Sequence, residues 1–227
     1  MEVCTVADVT VSGLFERGHT LAWALLEKAV YPWEILGDIQ DFILEEGKKL
    51  SSEEYTLIGD NVWAAGDAVI APTALICGPC IIDRGAEIRH CAYIRGNAVI
   101  GKGAVVGNSC ELKNCILFDG AQVPHFNYVG DSVLGYKAHM GAGAVTSNVK
   151  SDKTHVVVKN GQDCIPTGRK KVGAMLGDHA EIGCNTVLCP GSVIGKNTAV
   201  YPTSCVRGAV AENSIYKKDG LIVEKTI

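Results

Sequence analysis

The sequence predicts an all-β solenoid, a parallel β-helix, and two periodic features predict it. The first residue of each six-residue segment is mostly a large aliphatic residue, at Ile58, Ala64, Ile70, Ile76, Ile82, Ile88, Ile94, Ile100, Val106, Leu112, Phe118 and Pro124. Four residues after the first ten of these stand small or compact apolar residues, at Val62, Ala68, Ala74, Cys80, Ala86, Ala92, Ala98, Ala104, Cys110 and Ile116. A period of six fits neither a helix nor a hairpin sheet, but it is typical of hexapeptide coils.

Each six-residue segment forms one flat side of a triangular coil, and three segments complete the coil. The large residue fills the prism, while the residue four later lies where space is limited. Successive coils stack at the strand spacing of about 4.8 Å. The repeat returns at Leu134 and Met140 and again from Leu176 to Val206, so we expect about six to seven coils.

The repeat defines three segments. Residues 1–55 lack it, and their apolar spacing predicts one helix over 19–29 and a second that begins at Pro32 and ends at Gly47. This helical segment is expected to cap the open first coil, whose strand edges would otherwise be unpaired. The β-helix occupies residues 56–212, and residues 213–227 form a C-terminal tail.

The repeat is interrupted twice. Phe118 and Leu134 are four residues further apart than two segments require, which predicts a loop expelled near 123–130. A second insertion covers 147–172, where Asn160-Gly161 between apolar stretches predicts a hairpin. Long connections without a repeat of their own are often functional, so both interruptions are candidate sites.

Composition excludes several functional classes. The chain has 227 residues and a formal net charge of −4, which argues against a nucleic-acid or membrane-surface partner. No apolar stretch has the length of a membrane span, and no secretory signal is visible. Several of the ten cysteines, including Cys80 and Cys110, occupy small apolar positions of the repeat. We therefore expect reduced cysteines in a cytoplasmic protein.

Candidate chemistry clusters around the first interruption. Arg95 and Lys113 are 18 residues apart, one full coil, so they stack on one face. Two such cations could hold a phosphate, or each could pair with a neighbour such as Glu111. His125, in the expected loop, could take a proton near neutral pH or could simply bond to backbone.

These residues fall into a known pattern. The stretches are Glu111-Leu-Lys113, His125-Phe-Asn-Tyr128-Val-Gly130-Asp131 and Gly141-Ala142-Gly143-Ala144-Val-Thr146-Ser-Asn148. Over about residues 58–212 the chain resembles the left-handed β-helix acetyltransferase domain of the bifunctional glucosamine-1-phosphate acetyltransferase/N-acetylglucosamine-1-phosphate uridyltransferase. The segment from Gly168 to His179 is similar to archaeal forms. The left-handed coil and a homotrimer are implied by this resemblance.

The resemblance implies an acetyl-CoA-dependent N-acetyltransferase acting on an amino-sugar 1-phosphate such as glucosamine 1-phosphate. By this resemblance His125 is the general base and Glu111 a second catalytic residue, with no metal required. The implied sugar-phosphate residues are Arg95, Lys113, Tyr128, His139 and Asn148. The implied acetyl-CoA residues are Ala142, Cys184, Pro190, Pro202 and Lys217 or Lys218. The nucleotidyltransferase half has no counterpart here, so no nucleotidyltransferase activity is expected.

Departures from the family pattern affect the sugar more than the reaction class. His139 stands where the family usually has Asn, Cys184 where it has Ser, and Val149-Lys150-Ser151 replaces a Tyr-Asp-Gly stretch. Two alternatives stay open: a non-catalytic protein that binds sugar phosphates or nucleotide sugars, and a γ-type carbonic anhydrase. A γ-type carbonic anhydrase needs three zinc-binding histidines at a set spacing. The candidate histidines here do not have that spacing; they are His90, His125, His139 and His179.

Overall fold

The computed structural model describes residues 6–226 and shows a three-sided parallel β-solenoid. The first face contains β2 (Val62–Ala65), β5 (Cys80–Ile82), β8 (Ala98–Ile100), the second halves of β10 (Glu111–Leu117) and β12 (Tyr128–Leu134), β17 (Ala174–Leu176), β20 (Ser192–Ile194) and β23 (Ala209–Val210). The second face contains β3 (Val69–Ile70), β6 (Glu87–Ile88), β9 (Val105–Asn108), β11 (Gln122–His125), β13 (His139–Met140), β18 (Glu181–Ile182), β21 (Ala199–Val200) and β24 (Ser214–Tyr216). The third face contains β4 (Leu75–Ile76), β7 (Tyr93–Ile94), the first halves of β10 and β12, β14 (Val145–Thr146), β19 (Val187–Leu188) and β22 (Cys205–Val206).

These faces make seven complete coils and a two-sided eighth, slightly more than the sequence predicted, and the parallel β-helix is confirmed. The ends are covered by antiparallel strands: β1 (Tyr55–Gly59) pairs with β2, and β25 (Ile222–Glu224) pairs with β24. The prism holds the repeat's aliphatic residues, such as Ile82, Ile88 and Ile94, nearly all of them fully buried. Burial of this stack stabilises the solenoid through the hydrophobic effect.

The expected loop at 123–130 is wrong, because residues 122–125 and 128–134 form β11 and β12 within the coils. Register pairs are 17 residues apart in two successive coils, as for Ile100 with Leu117 and Leu117 with Leu134. Each of these coils is therefore one residue shorter than the 18-residue coils before them. Leu117 lies in the prism, whereas Phe118 packs outside it. The apparent insertion was two successive shifts of phase by one residue each.

The N-terminal segment lies along a flank of the solenoid and does not cap its first coil. Its helices are α1 (Val11–Leu14), α2 (Trp23–Leu26), a 3-10 helix (Pro32–Gly37) and α3 (Ile39–Gly47). The first expected helix is shorter than predicted, and the second keeps its predicted ends but is divided into two at Asp38. They pack on outward-facing apolar residues of the first face, namely Ile81, Val99, Ile116, Val133, Met175 and Val193. This second apolar stripe explains why strands of the first face are apolar on both sides.

The 147–172 segment contains the antiparallel pair β15 (Val157–Asn160) and β16 (Asp163–Pro166). The pair does not protrude freely, because Val156 and Val158 are buried in the flank cluster. Asn160 exchanges hydrogen bonds of 2.9 and 2.8 Å with the backbone of Ala7. The domain boundaries at residues 55 and 212 stay a prediction.

Candidate active site

The site residues lie mainly on the third face, where the strand register stacks them coil upon coil. Glu111 pairs with Tyr93 of the preceding coil and with Tyr128 of the next. Arg95 and Lys113 each lie two residues beyond this column, and Lys113 pairs with Gly130. The predicted stacking of the two cations on adjacent coils therefore agrees with the register.

Each of these cations already has a carboxylate partner. Arg95 Nη1 lies 2.7 Å from Glu111 Oε1, and Lys113 Nζ lies 3.1 Å from Asp131 Oδ1. The hydrogen bond from Arg95 to Glu111 is the main reason that the pKa of Arg95 is raised. The carboxylates offset the repulsion between the cations, and a guanidinium with five donors still has several left for a ligand.

Asp131 is the centre of a hydrogen-bond network that joins three coils. Its side chain is almost fully buried. Oδ1 accepts from Asn114 Nδ2 at 2.9 Å, and Oδ2 accepts from Asn148 Nδ2 at 2.5 Å. Asn148 Nδ2 also donates to the Tyr128 hydroxyl at 3.2 Å. Tyr128, Asn148 and Lys113 are thus brought together by a residue to which the sequence analysis gave no role.

Gly130 leaves the space in which this network forms. A β-carbon at Gly130 would collide with the Tyr128 hydroxyl and would lie 2.9 Å from Asn148 Nδ2. Burial, followed by the nearby Asp131 charge, raises the pKa of Tyr128. The phenol therefore stays protonated and remains a hydrogen-bond donor at neutral pH.

His125 ends β11 at the corner between the second and third faces. Its side chain is exposed, and no hydrogen-bond partner of its ring is found within residues 6–226. Buried Asn127 fixes this corner, because its Oδ1 accepts from His125 N at 3.1 Å. Its Nδ2 donates to the carbonyls of Gly141 and Ala144. The same amide thus holds both His125 and the turn that contains Ala142.

His139 lies on the second face, away from the network around Asp131. Its Nδ1 is 2.9 Å from Glu181 Oε2 on the next coil. Both residues line an open cleft of about 420 Å³ together with Gln122 and Lys137. Within one chain, no contact joins His139 to the other predicted sugar-phosphate residues among the described residues.

The predicted acetyl-CoA residues divide between two corners and the tail. Ala142 and Cys184 stack at the His125 corner, where their carbonyls accept from the backbone N–H groups of Asn185 and Thr203 at 2.8 Å. Pro202 adjoins Thr203 at the same corner, whereas Pro190 follows β19 at the corner between the third and first faces. Lys218, rather than Lys217, lines a cleft of about 370 Å³ with Thr203, Ser204, Cys205 and Tyr216.

Two negative findings concern residues 6–226. No helix there is long and apolar enough to cross a membrane. In the same stretch, no group of three or more His, Cys, Asp or Glu side chains is arranged to hold a metal ion.

The fold and the repeat define the class of protein, a hexapeptide-repeat parallel β-helix, and comparison with known proteins specifies it further. The profile described as the GMPPB C-terminal domain matches residues 76–162. "Bifunctional protein GlmU" of Methanococcus maripaludis strain C5 is 33% identical over 202 residues, which cover 86% of this chain and 48% of that protein. A "bifunctional sugar-1-phosphate nucleotidylyltransferase/acetyltransferase" of Sulfurisphaera tokodaii is 32% identical and covers 82% of this chain and 47% of its own length.

The chain is therefore similar to the acetyltransferase half of the GlmU-type bifunctional proteins, archaeal forms among them, as its motifs predict. It spans about half the length of the curated relatives that it matches. Among solved structures, the acetyltransferase domain of PglB from Neisseria gonorrhoeae FA1090 with acetyl coenzyme A is 15% identical, with a TM-score of 0.33 over 69% of this chain and 54% of that one. A point mutant of AntD, an N-acyltransferase from Bacillus cereus, is 16% identical, with a TM-score of 0.36 over 75% and 90% of the two chains. At these values neither structural likeness bears on function.

Proposed function

We propose that this protein transfers an acetyl group from acetyl-CoA to the amine of an amino-sugar 1-phosphate. The observation that carries the proposal is a group of side chains on the third face that can donate hydrogen bonds to a phosphate. An exposed histidine lies at the adjoining corner. Arg95, Lys113 and Tyr128 offer a fork, a point charge and a neutral hydroxyl donor to one anion. The similarity to bifunctional acetyltransferases supports the same reaction class.

His125 is the proposed general base. Its free imidazole takes a proton from the sugar ammonium, and the amine then attacks the thioester carbonyl carbon of acetyl-CoA. This attack forms the C–N bond and a tetrahedral intermediate, whose nitrogen releases its extra proton to solvent. Collapse of the intermediate breaks the C–S bond and expels the CoA thiolate, which takes the proton held by His125. A backbone N–H near Ala142 is the proposed donor to the oxyanion.

Glu111 holds Arg95 in place for the phosphate, so its proposed contribution is through Arg95. His139 with Glu181, on the separate second face, is proposed to contact the sugar of a substrate bound between neighbouring subunits of a homotrimer. Ala142, Cys184 and Pro202 at the His125 corner are the proposed path of acetyl-CoA, which continues toward Lys217 and Lys218 and passes Pro190.

Product mass spectrometry tests the proposal. The protein is incubated with acetyl-CoA and a panel of glucosamine and galactosamine 1-phosphates, and we expect a gain of one acetyl group on one sugar. His125→Gln should lower kcat by about 10²- to 10⁴-fold with little change in the KM of the sugar phosphate. His155→Gln is the matched control, because His155 is exposed in the 147–172 segment.

Two results would contradict this function. Near-normal turnover of His125→Gln would remove the base assignment. Binding of a sugar phosphate with no acetylated product would favour a second candidate, a non-catalytic sugar-phosphate binder. The departures at His139 and Cys184, where the family usually has Asn and Ser, are the observations that favour that candidate.

A further inference from the structure

Asp131 is buried in the sugar-phosphate site, and its chemistry constrains every polar group around it. An ionised carboxylate accepts hydrogen bonds and donates none. Asp131 is only 4% exposed and has Lys113 as its counter-ion. Each neighbour must therefore point a hydrogen-bond donor toward the carboxylate. An acceptor in the same place would put two buried lone pairs against each other, which costs substantial free energy.

This requirement fixes the orientation of Asn148. Its Nδ2 faces Asp131 Oδ2 at 2.5 Å, so its Oδ1 must point the opposite way. No hydrogen-bond partner of Asn148 Oδ1 is found within residues 6–226. Asn148 thus presents an acceptor to the outside of the network.

The same constraint passes from Asn148 to Tyr128. The second hydrogen of Asn148 Nδ2 goes to the Tyr128 hydroxyl oxygen at 3.2 Å. A phenol that accepts this bond has its own hydrogen left for another acceptor. Because the raised pKa keeps the phenol protonated, Tyr128 presents a donor.

The network is anchored from the N-terminal flank. Asn114 Nδ2 donates to Asp131 Oδ1 at 2.9 Å and to the Leu36 carbonyl at 3.0 Å. Both partners accept only, so the amide of Asn114 is also held in one orientation. Asp131 is therefore fixed from both sides, and its direction of hydrogen bonding is not free to reverse.

We propose that Asp131 is a positioning residue that sets the polarity of the sugar-phosphate site, so that Tyr128 donates to a phosphate oxygen and Asn148 accepts from a sugar hydroxyl or ammonium. The proposal rests on the proposed function and deepens it. Lys113, held 3.1 Å from Asp131, supplies its charge from the same anchor. The site thus selects a ligand that has an anion on one side and a hydrogen-bond donor on the other.

The first test is Asp131→Asn. The new amide has an acceptor oxygen on one side only, and its NH2 group must face a donor of Asn114 or of Asn148. The orientations of Asn148 and Tyr128 therefore become mixed. We expect the KM for glucosamine 1-phosphate, and its Kd by titration calorimetry, to rise about tenfold or more. The KM for acetyl-CoA should stay within about twofold, because the predicted acetyl-CoA residues lie outside the network.

The second test is the exchange Asp131→Asn with Asn148→Asp, which satisfies the network but reverses its direction. Residue 131 then accepts from Asn114 and Lys113 and donates to residue 148, while Tyr128 donates inward. We expect the thermal stability lost in Asp131→Asn to be largely regained, while the sugar-phosphate Kd stays raised about tenfold or more. Recovery of affinity together with stability would show that the role of Asp131 is purely structural.

Unchanged sugar-phosphate affinity in Asp131→Asn would overturn the proposal, and so would recovery of affinity in the exchange variant. If Asp131→Asn alone does not fold, the exchange variant still decides. Calorimetry with glucosamine 1-phosphate and with inorganic phosphate separates this proposal from the function, because it needs no turnover. If the wild type binds the sugar phosphate but forms no acetylated product, acetyl transfer is refuted. Binding to the same two variants would then still test the polarity of the site.

Discussion

Replacing Gly130 by Ala is the most direct test of the site geometry. The new β-carbon would overlap the Tyr128 hydroxyl and crowd Asn148 Nδ2, which would be 2.9 Å away. The backbone itself tolerates alanine, because Gly130 does not have a positive φ. The effect of the substitution therefore comes from displaced side chains and not from backbone strain.

The expected magnitude follows from two contributions. Overpacking at a filled site costs about 1–3 kcal/mol, and loss of the Tyr128–Asn148 hydrogen bond adds about 1 kcal/mol. A total of about 3 kcal/mol would lower Tm by roughly 6–12 °C for a chain of this size. Because Tyr128 must move, the KM for the sugar phosphate should also rise.

Thermal unfolding by circular dichroism measures the first effect, and steady-state kinetics measures the second. Gly66→Ala is the matched control, since its β-carbon would have no neighbour closer than 3.7 Å and its φ is not positive. A Gly130→Ala variant with the Tm and KM of the wild type would refute the packing of Tyr128 against Asn148.

Two other changes test the supports of the fold and of the corner. Tyr55→Phe should destabilise the protein by about 1–3 kcal/mol, because the Tyr55 hydroxyl donates to Oδ1 of the fully buried Asp83, whose Oδ2 has no partner among the described residues. Burial raises the pKa of Tyr55, so the contribution of its hydroxyl to the free energy of unfolding is present below about pH 10 and is lost as pH rises further. Chemical denaturation at pH 8 and pH 11 should therefore show a smaller loss of stability in Tyr55→Phe than in the wild type. Equal losses in the two proteins would contradict the assignment. Asn127→Ala should reduce kcat about tenfold or more through looser placement of His125, with a lower Tm; a variant that loses Tm but keeps kcat would limit Asn127 to a structural role.

The period of six was sufficient to predict the solenoid, because each inward position has room for one kind of residue only. Ile82, Ile88 and Ile94 fill the prism as expected. The error near 123–130 arose where two successive coils are each one residue shorter than the period predicts. A shift of phase and an insertion leave similar gaps in a pattern, and only the pairing of Val123 with Val106 separates them.

The packing of the N-terminal segment against the first face has a signal in the sequence. Ile81, Val99 and Ile116 follow one another at intervals of one coil, directly before prism residues, and all are buried under the N-terminal segment. Consecutive apolar residues in a strand indicate a sheet covered on both sides. Attention to the inward residues alone led to the expectation of a cap at the end of the solenoid.

The side chains proposed to bind the ligand were easier to find in the sequence than the residues that support them. Arg95 and Lys113 were found by counting one coil of 18 residues, but the next coil has 17, so Lys113 pairs with Gly130 and Asp131 follows Asn114 on the same corner. Asn127 and Gly130 carry no such signal, because their roles depend on backbone carbonyls and on empty space. The resemblance supplied roles for individual residues, but it did not show which residues hold them in position.

The corner that contains Asp131 separates what the fold requires from what the site requires. Asn97, Asn114 and Asp131 occupy this corner on successive coils, each with a φ near +50°. Asn and Asp adopt this left-handed conformation more readily than most residues, so the backbone alone accounts for the residue type. Asn97 has no side-chain hydrogen bond among the described residues, and the corner forms there without one. What distinguishes the later coils is the carboxylate at 131 next to Lys113, and a charge that the turn does not need is best explained by the ligand that its neighbours face.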